Sequence, residues 1–88
     1  MKMNLYQELH AALLAHKPKS LGKDNLVGPA CCALGALGNY RGEEYRYSSV
    51  PEVSRFDNEV CPENDLFKGT DSERYQHMLA WSEERGKL

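Results

Sequence analysis

Apolar residues recur at helical spacing in four stretches of the chain. In the first stretch, Leu9 and Leu13 follow Asn4, whose side chain suits the position just before a helix. Gln7 stands three residues after Asn4, as in a capping box. Pro18 disfavours helical backbone in the residue before it. The pattern therefore predicts a first helix that begins after Asn4 and ends before Pro18.

The second stretch, residues 30–38, has no charged or strongly polar side chain. Pro29 precedes it, and proline is favoured at the first position of a helix, while Gly38 is typical of a helix end. Because a helix that is apolar on all sides must be buried on all sides, we expect a central buried helix over residues 30–37. A mid-helix glycine costs about 1 kcal/mol, so Gly35 indicates close packing. The residues assigned a structural role here are Cys31, Cys32, Leu34, Gly35 and Leu37.

Two further helices are predicted in the second half of the chain. The third starts at a capping-box pair, Ser49 and Glu52, and is expected to end at Pro62. The fourth starts at a complete capping box, Thr70 to Glu73. Their apolar positions are Val53, Phe56, Val60, Tyr75, Met78 and Leu79.

Residues 61–69 between these helices are interpreted as a loop. Asn64 and Asp65 suit turns because their side chains bond to nearby backbone groups. We expect a structural role for both: they would cap either the central helix or the final one.

Composition favours a mainly α fold. The chain has no isoleucine, one threonine and four valines, whereas leucine and alanine supply most of its apolar mass. We predict a single domain over residues 1–88, with about four short helices packed around the central helix. Tyrosines alternate with an arginine near residues 44–48, and a short strand or hairpin there would make the fold α+β instead.

Charge and cysteine content narrow the classes of partner. The net charge is −2, whereas domains that bind duplex nucleic acid are usually strongly basic, so nucleic acid is disfavoured. No stretch of 18 apolar residues and no signal-peptide pattern is present, so we expect a cytoplasmic protein without a membrane partner.

The three cysteines fit reduced thiols, and they lack the paired spacing of a zinc site. No metal or cofactor is predicted, and self-association to a homodimer stays open.

Two adjacent thiols are the candidate nucleophiles. Cys31 and Cys32 would lie in the first turn of the central helix, where backbone N–H groups lower a thiol's pKa. A cysteine-dependent enzyme would also need a base, either Asp65 or a histidine. The alternative is that both cysteines are small buried apolar residues, and we favour this interpretation, with no catalytic residue.

The candidate binding surface is rich in tyrosine and arginine, residue types that dominate protein–protein hot spots. It consists of Tyr40, Arg41, Tyr45, Arg46 and Tyr47. Because the chain is acidic overall, we favour a protein partner over a nucleic acid. A second possible surface is the basic loop with Lys19 and Lys23, which together with Arg41 could bind an anionic nucleotide.

In its motifs and their order, the chain resembles a family of small phage and bacterial proteins. Its members have a Cys-Cys-x-Leu-Gly-x-Leu helix, here residues 31–37, and a later Asn-Asp pair before a Thr- or Ser-led helix. Between these motifs they have a Leu-Pro-x-x-Val segment, which the one-residue-shorter Val50-Pro-Glu-Val53 resembles here. The family has no established activity. The resemblance implies a non-enzymatic phage or prophage accessory protein that binds and inhibits or modulates a host or defence-system protein. The cysteine enzyme and the nucleotide-binding sponge are the two alternatives.

Overall fold

The computed structural model describes residues 3–28 and 31–87. These contain four helices: α1 (Leu5–Ala15), α2 (Ala33–Arg41), α3 (Pro51–Asp65) and α4 (Asp71–Gly86). Within the described ranges no residue is in a strand, so the mainly α fold is confirmed and the α+β alternative is wrong. α1 packs against α2 and α4, and α2 also packs against α3. None of these helices is long and apolar enough to cross a membrane.

α1 and α4 begin as the sequence predicts. The N–H of Gln7 donates to the Asn4 side chain at 2.8 Å, and the Gln7 side chain accepts from the Asn4 N–H in return. Thr70 and Glu73 form the same reciprocal pair at the start of α4. Both caps are local in sequence, so each forms from residues within one turn of the helix.

α2 is the buried centre of the molecule, and all residues from 33 to 38 are buried. It begins at Ala33, three residues later than predicted. Cys31 and Cys32 bond instead to the preceding loop: the Gly22 N–H donates to the Cys31 carbonyl at 2.9 Å, and the Cys32 N–H donates to the Asn25 carbonyl at 2.6 Å. These bonds hold Cys32 in extended backbone, where it is the N-cap residue. Ala30, where the predicted helix starts, and Pro29 before it lie outside the described residues.

The two glycines of α2 allow close backbone contacts. A Cβ atom on Gly35 would lie 2.9 Å from the carbonyl of Leu26, and one on Gly38 would lie 2.7 Å from the Tyr45 nitrogen. The close approach predicted at Gly35 is therefore present. Gly38 does not end the helix, because α2 continues to Arg41, and Gly42 supplies the left-handed residue at φ 78°.

α3 differs from the prediction at both ends. Val50 precedes its first turn and Pro51 is its first residue, so the predicted Ser49 cap does not form. Pro62 lies inside the helix, which continues to Asp65. A proline removes one helical hydrogen bond, but its fixed φ still fits a helix. The turn after Pro62 also makes side-chain bonds, because Asn64 bonds to Ala33 and to Gly22.

The core draws on all four helices and on the loop before α2. Leu9 and Leu13 of α1, Leu34 and Leu37 of α2, and Met78 of α4 are all fully buried. α3 contributes two buried apolar side chains, and the loop contributes one. These are Phe56, Val60 and Leu21.

A buried arginine ties the loop before α2 to α4. Arg74 is almost fully buried and donates to the Leu21 carbonyl at 2.8 Å and to Asp71 at 2.6 Å. The Leu21 N–H in turn donates to the Asp71 carbonyl. Buried charges are stable only when they are paired and hydrogen-bonded, and these bonds fix the path of the loop toward Cys31.

Candidate functional site

The start of α2, the end of α3 and the loop before α2 meet at one buried junction. Asn64, in the last turn of α3, accepts from the Ala33 N–H at 3.1 Å and donates to the Gly22 carbonyl at 3.1 Å and to Asp65 at 2.7 Å. Asn64 therefore caps α2, one of the two roles left open by the sequence, from a different helix. Asp65 accepts from the Asp24 N–H at 3.2 Å and so bonds to the same loop.

The thiols at this junction are not activated. Cys31 is fully buried and Cys32 nearly so, and burial raises the pKa of Cys31 to about 11. Burial also raises the pKa of Cys32, although the N–H groups of Gly35 and Leu34 act in the opposite direction. The predicted position in the first turn of α2 is wrong, and desolvation outweighs the backbone N–H groups. Asp65 raises the pKa of Cys32 further, since a negative charge disfavours a thiolate.

The third thiol lies nearer the surface. Cys61 is partly buried, and its sulfur is 3.6 Å from the hydroxyl of Tyr47. Burial raises its pKa as well. Among the described residues, no three histidine, cysteine or carboxylate side chains are grouped as metal ligands.

A histidine–serine–glutamate group that the sequence did not suggest lies between α1 and α4. His10 Nδ1 is 3.1 Å from the Leu79 carbonyl and 3.3 Å from the Ser82 hydroxyl, and its Nε2 is 4.0 Å from Glu83. Ser82 is fully buried and donates to the Leu79 carbonyl. The single proton of the Ser82 hydroxyl is donated to the Leu79 carbonyl rather than to His10. This group links two helices and does not form a nucleophile–base pair.

His77 contacts α3 and the loop that follows it. Its Nε2 is 2.6 Å from Glu63, and its ring stacks on Phe67 at 4.6 Å. Neither His10 nor His77 therefore pairs with Cys31 or Cys32 in a catalytic dyad.

The tyrosine and arginine residues of the predicted binding surface separate into buried and exposed groups. Tyr45 is only 5 % exposed, and its hydroxyl donates to the buried carboxylate of Asp57. Its assignment to the surface is wrong, because the Gly38 notch lets the backbone at residue 45 lie directly on α2. Arg46 is exposed, and Tyr47 is 61 % exposed. Both tyrosines were assigned to the surface, but Tyr45 is buried and Tyr47 is exposed. Their rings make an edge-to-face contact with 6.3 Å between centroids.

The other two residues of that surface lie at the end of α2. Tyr40 is half exposed, beside a groove against the end of α1. Arg41 donates from Nε and Nη2 to the two carboxylate oxygens of Glu8, each at 2.7 Å. This bidentate pair lowers the pKa of Glu8 and joins α1 to α2. Arg41 therefore has a partner within the molecule.

Asp57 fixes the chain on both sides of Arg46 and Tyr47. One carboxylate oxygen accepts from the Tyr45 hydroxyl, and the other accepts from the Ser48 N–H at 3.4 Å. The Ser48 hydroxyl then accepts from the Val50 N–H at 3.1 Å, just before α3. We call residues 45–50 the display loop. Three side chains of the display loop are large and exposed: the cation Arg46, and Tyr47 and Val50.

The basic loop does not form the predicted cluster of cations. Lys19 donates to the Leu14 carbonyl in the last turn of α1 at 2.6 Å and lies over the Tyr75 ring at 5.6 Å. Lys23 is exposed. Since Arg41 is held by Glu8, two of the three cations assigned to an anion site bind groups within the protein.

Comparison of the chain with protein-family models, with curated proteins and with solved structures gives no match.

Proposed function

We propose that this chain is a non-enzymatic binding module whose display loop contacts a partner protein. The observation that carries the proposal is the double attachment of the loop to Asp57. A loop held at both ends has less conformational freedom to lose on binding. Arg46 and Tyr47 lie between these attachments, and their residue types dominate binding hot spots.

The sequence resemblance supports the biological setting of this proposal. It points to a phage or prophage accessory protein that acts in the cytoplasm of a bacterial host. There it would bind and inhibit or modulate a host or defence-system protein. The burial of Cys31 and Cys32 and their raised pKa values favour binding over cysteine catalysis.

The test begins with capture of a partner from a bacterial lysate by the tagged protein and its identification by mass spectrometry. The purified partner is then titrated calorimetrically with wild-type protein and with the double variant Arg46→Ala/Tyr47→Ala. Loss of two hot-spot side chains should weaken binding at least about thirtyfold. The activity of the partner, measured with and without the protein, shows whether binding inhibits it.

A matched control removes one exposed arginine and one exposed large apolar residue elsewhere, Arg55→Ala/Leu66→Ala. We expect this control to bind like wild type. Equal affinity of the Arg46/Tyr47 variant and wild type for the purified partner would contradict the proposal.

A further inference from the structure

A groove of about 500 Å³ lies between the start of α1 and the start of α3. Met3, Leu5, Tyr6 and Val53 give it an apolar lining, and Met3 is 51 % exposed. The display loop leads directly into this part of α3: Val50 ends the loop, and Glu52 and Val53, which line the groove, lie in the first turn of α3. It is therefore an open apolar surface, lined in part by the residues that follow the display loop in sequence.

The charged residues that line this groove are both glutamates, Glu8 and Glu52. Arg41 occupies both oxygens of Glu8. Glu52 is exposed in the first turn of α3 and forms no ion pair within residues 3–28 and 31–87. The groove thus combines an apolar lining with one available negative charge at its edge.

We propose that this groove binds a basic segment of the partner, in which an apolar side chain lies beside a lysine or arginine. The apolar side chain would pack between Met3 and Val53, and the cation would pair with Glu52. Lysine and arginine suit this position because their stems pack on apolar surface while their charged ends reach a carboxylate. The inference rests on the proposed function and specifies the chemistry of the partner.

Two blocked peptides test the charge requirement directly: Gly-Lys-Leu-Lys-Gly and Gly-Glu-Leu-Glu-Gly. Each is titrated into protein labelled with ¹³C at the methionine and valine methyl groups and followed by NMR. The lysine peptide should shift the methyl signals of Met3 and Val53. At equal concentration the glutamate peptide should shift them at least about tenfold less, because like charges oppose each other.

Substitutions then test the role of Glu52. Glu52→Gln should weaken the lysine peptide about two- to fivefold, as expected for one exposed ion pair. Glu44→Gln is the matched control, since Glu44 is also exposed and without an ion pair in the described chain but does not line this groove. It should leave the affinity unchanged.

Several results would overturn the inference. These are equal shifts with both peptides, no shift with either, an affinity unchanged by Glu52→Gln, and shifts largest at Val27 in the separate groove beside α2. A captured partner that depends on Arg46 and Tyr47 but binds Glu52→Lys as well as wild type would overturn this inference alone. A partner unaffected by the Arg46/Tyr47 variant would instead contradict the proposed function.

Discussion

α2 and α3 hold their places in the molecule by different means. Residues 33–38 of α2 are buried, the helix has no side-chain cap of its own, and Gly35 and Gly38 allow close contact with its neighbours. α3 buries only four side chains, and two of them, Asp57 and Asn64, are polar. The middle of α2 is thus held by its shape, with polar bonds at its two ends, whereas α3 depends on specific hydrogen bonds along much of its length.

The difference extends to the contacts that α3 makes with α1 and α4. Glu59 accepts from the Tyr6 hydroxyl at 2.5 Å and from Arg85 at 3.2 Å, and Glu63 pairs with His77. Where packing depends on shape, the free energy of unfolding changes with the volume of a side chain. Where it depends on hydrogen bonds, it changes with protonation and with the removal of a single donor or acceptor atom. The variants below separate these two responses.

The largest effect is expected at Asn64, where both kinds of attachment meet. Asn64→Ala would leave the buried Ala33 N–H and the Gly22 carbonyl without their partner and would create a cavity. We expect a loss of about 3–4 kcal/mol in the free energy of unfolding. Chemical denaturation measures it. Asn58→Ala, at an exposed position of α3, is the control, and equal losses in the two variants would refute the role of Asn64.

The second largest loss of stability is expected from a larger side chain in α2. The Cβ of Gly35→Ala would lie 2.5 Å from the Cβ of Cys31 and 2.9 Å from the Leu26 backbone. We expect a loss of about 1–3 kcal/mol, despite the higher helix propensity of alanine. Thermal unfolding compares it with Gly28→Ala, which meets no atom within 4 Å and is strained only by φ 78°. A Gly35→Ala variant as stable as wild type would show that shape does not fix α2.

Removal of one hydroxyl tests the attachment of the display loop. Tyr45→Phe leaves the ring in place but removes the hydrogen bond to the buried Asp57. We expect a loss of about 1–2 kcal/mol in stability and faster amide exchange at residues 46–48. Hydrogen exchange measured by NMR checks the second effect. Tyr75→Phe, which loses a hydroxyl bond to the Leu13 carbonyl, should leave exchange at residues 46–48 unchanged.

The smallest effect is a loss of stability at high pH. Burial, followed by the hydrogen bond to Glu59, raises the pKa of Tyr6 from 10.0 to about 12. The folded state therefore binds this proton more tightly than the unfolded state, and the contribution is complete below pH 10 and is lost as pH rises toward 12. Tyr6→Phe should make unfolding less pH-dependent in this window. Identical slopes for variant and wild type would contradict the prediction.

The sequence predicted the features that are determined locally. The capping boxes at Asn4 and Thr70 lie within one turn, so the starts of α1 and α4 were correct. The start of α2 and the end of α3 depend on each other through Asn64, which is distant from Ala33 in sequence. No local pattern contains that information, so the first turn was placed too early and Pro62 was taken as a stop.

The candidate site was predictable only in part, for the same reason. Residue type assigned both Tyr45 and Tyr47 to the binding surface, and it did not indicate that Tyr45 lies beneath that surface. That depends on Gly38, which brings the chain against α2, and on Asp57, which accepts the Tyr45 hydroxyl from α3. The bidentate pair between Arg41 and Glu8 also joins residues far apart in sequence.

The bond between Asn64 and Ala33 has a consequence for synthesis on the ribosome. The first amide of the central helix obtains its acceptor from a residue 31 positions later in the chain. Until the last turn of α3 has been translated, this acceptor does not exist, and the Ala33 amide can bond only to water or to another group. The complete cap of the central helix therefore requires residues from both halves of the chain.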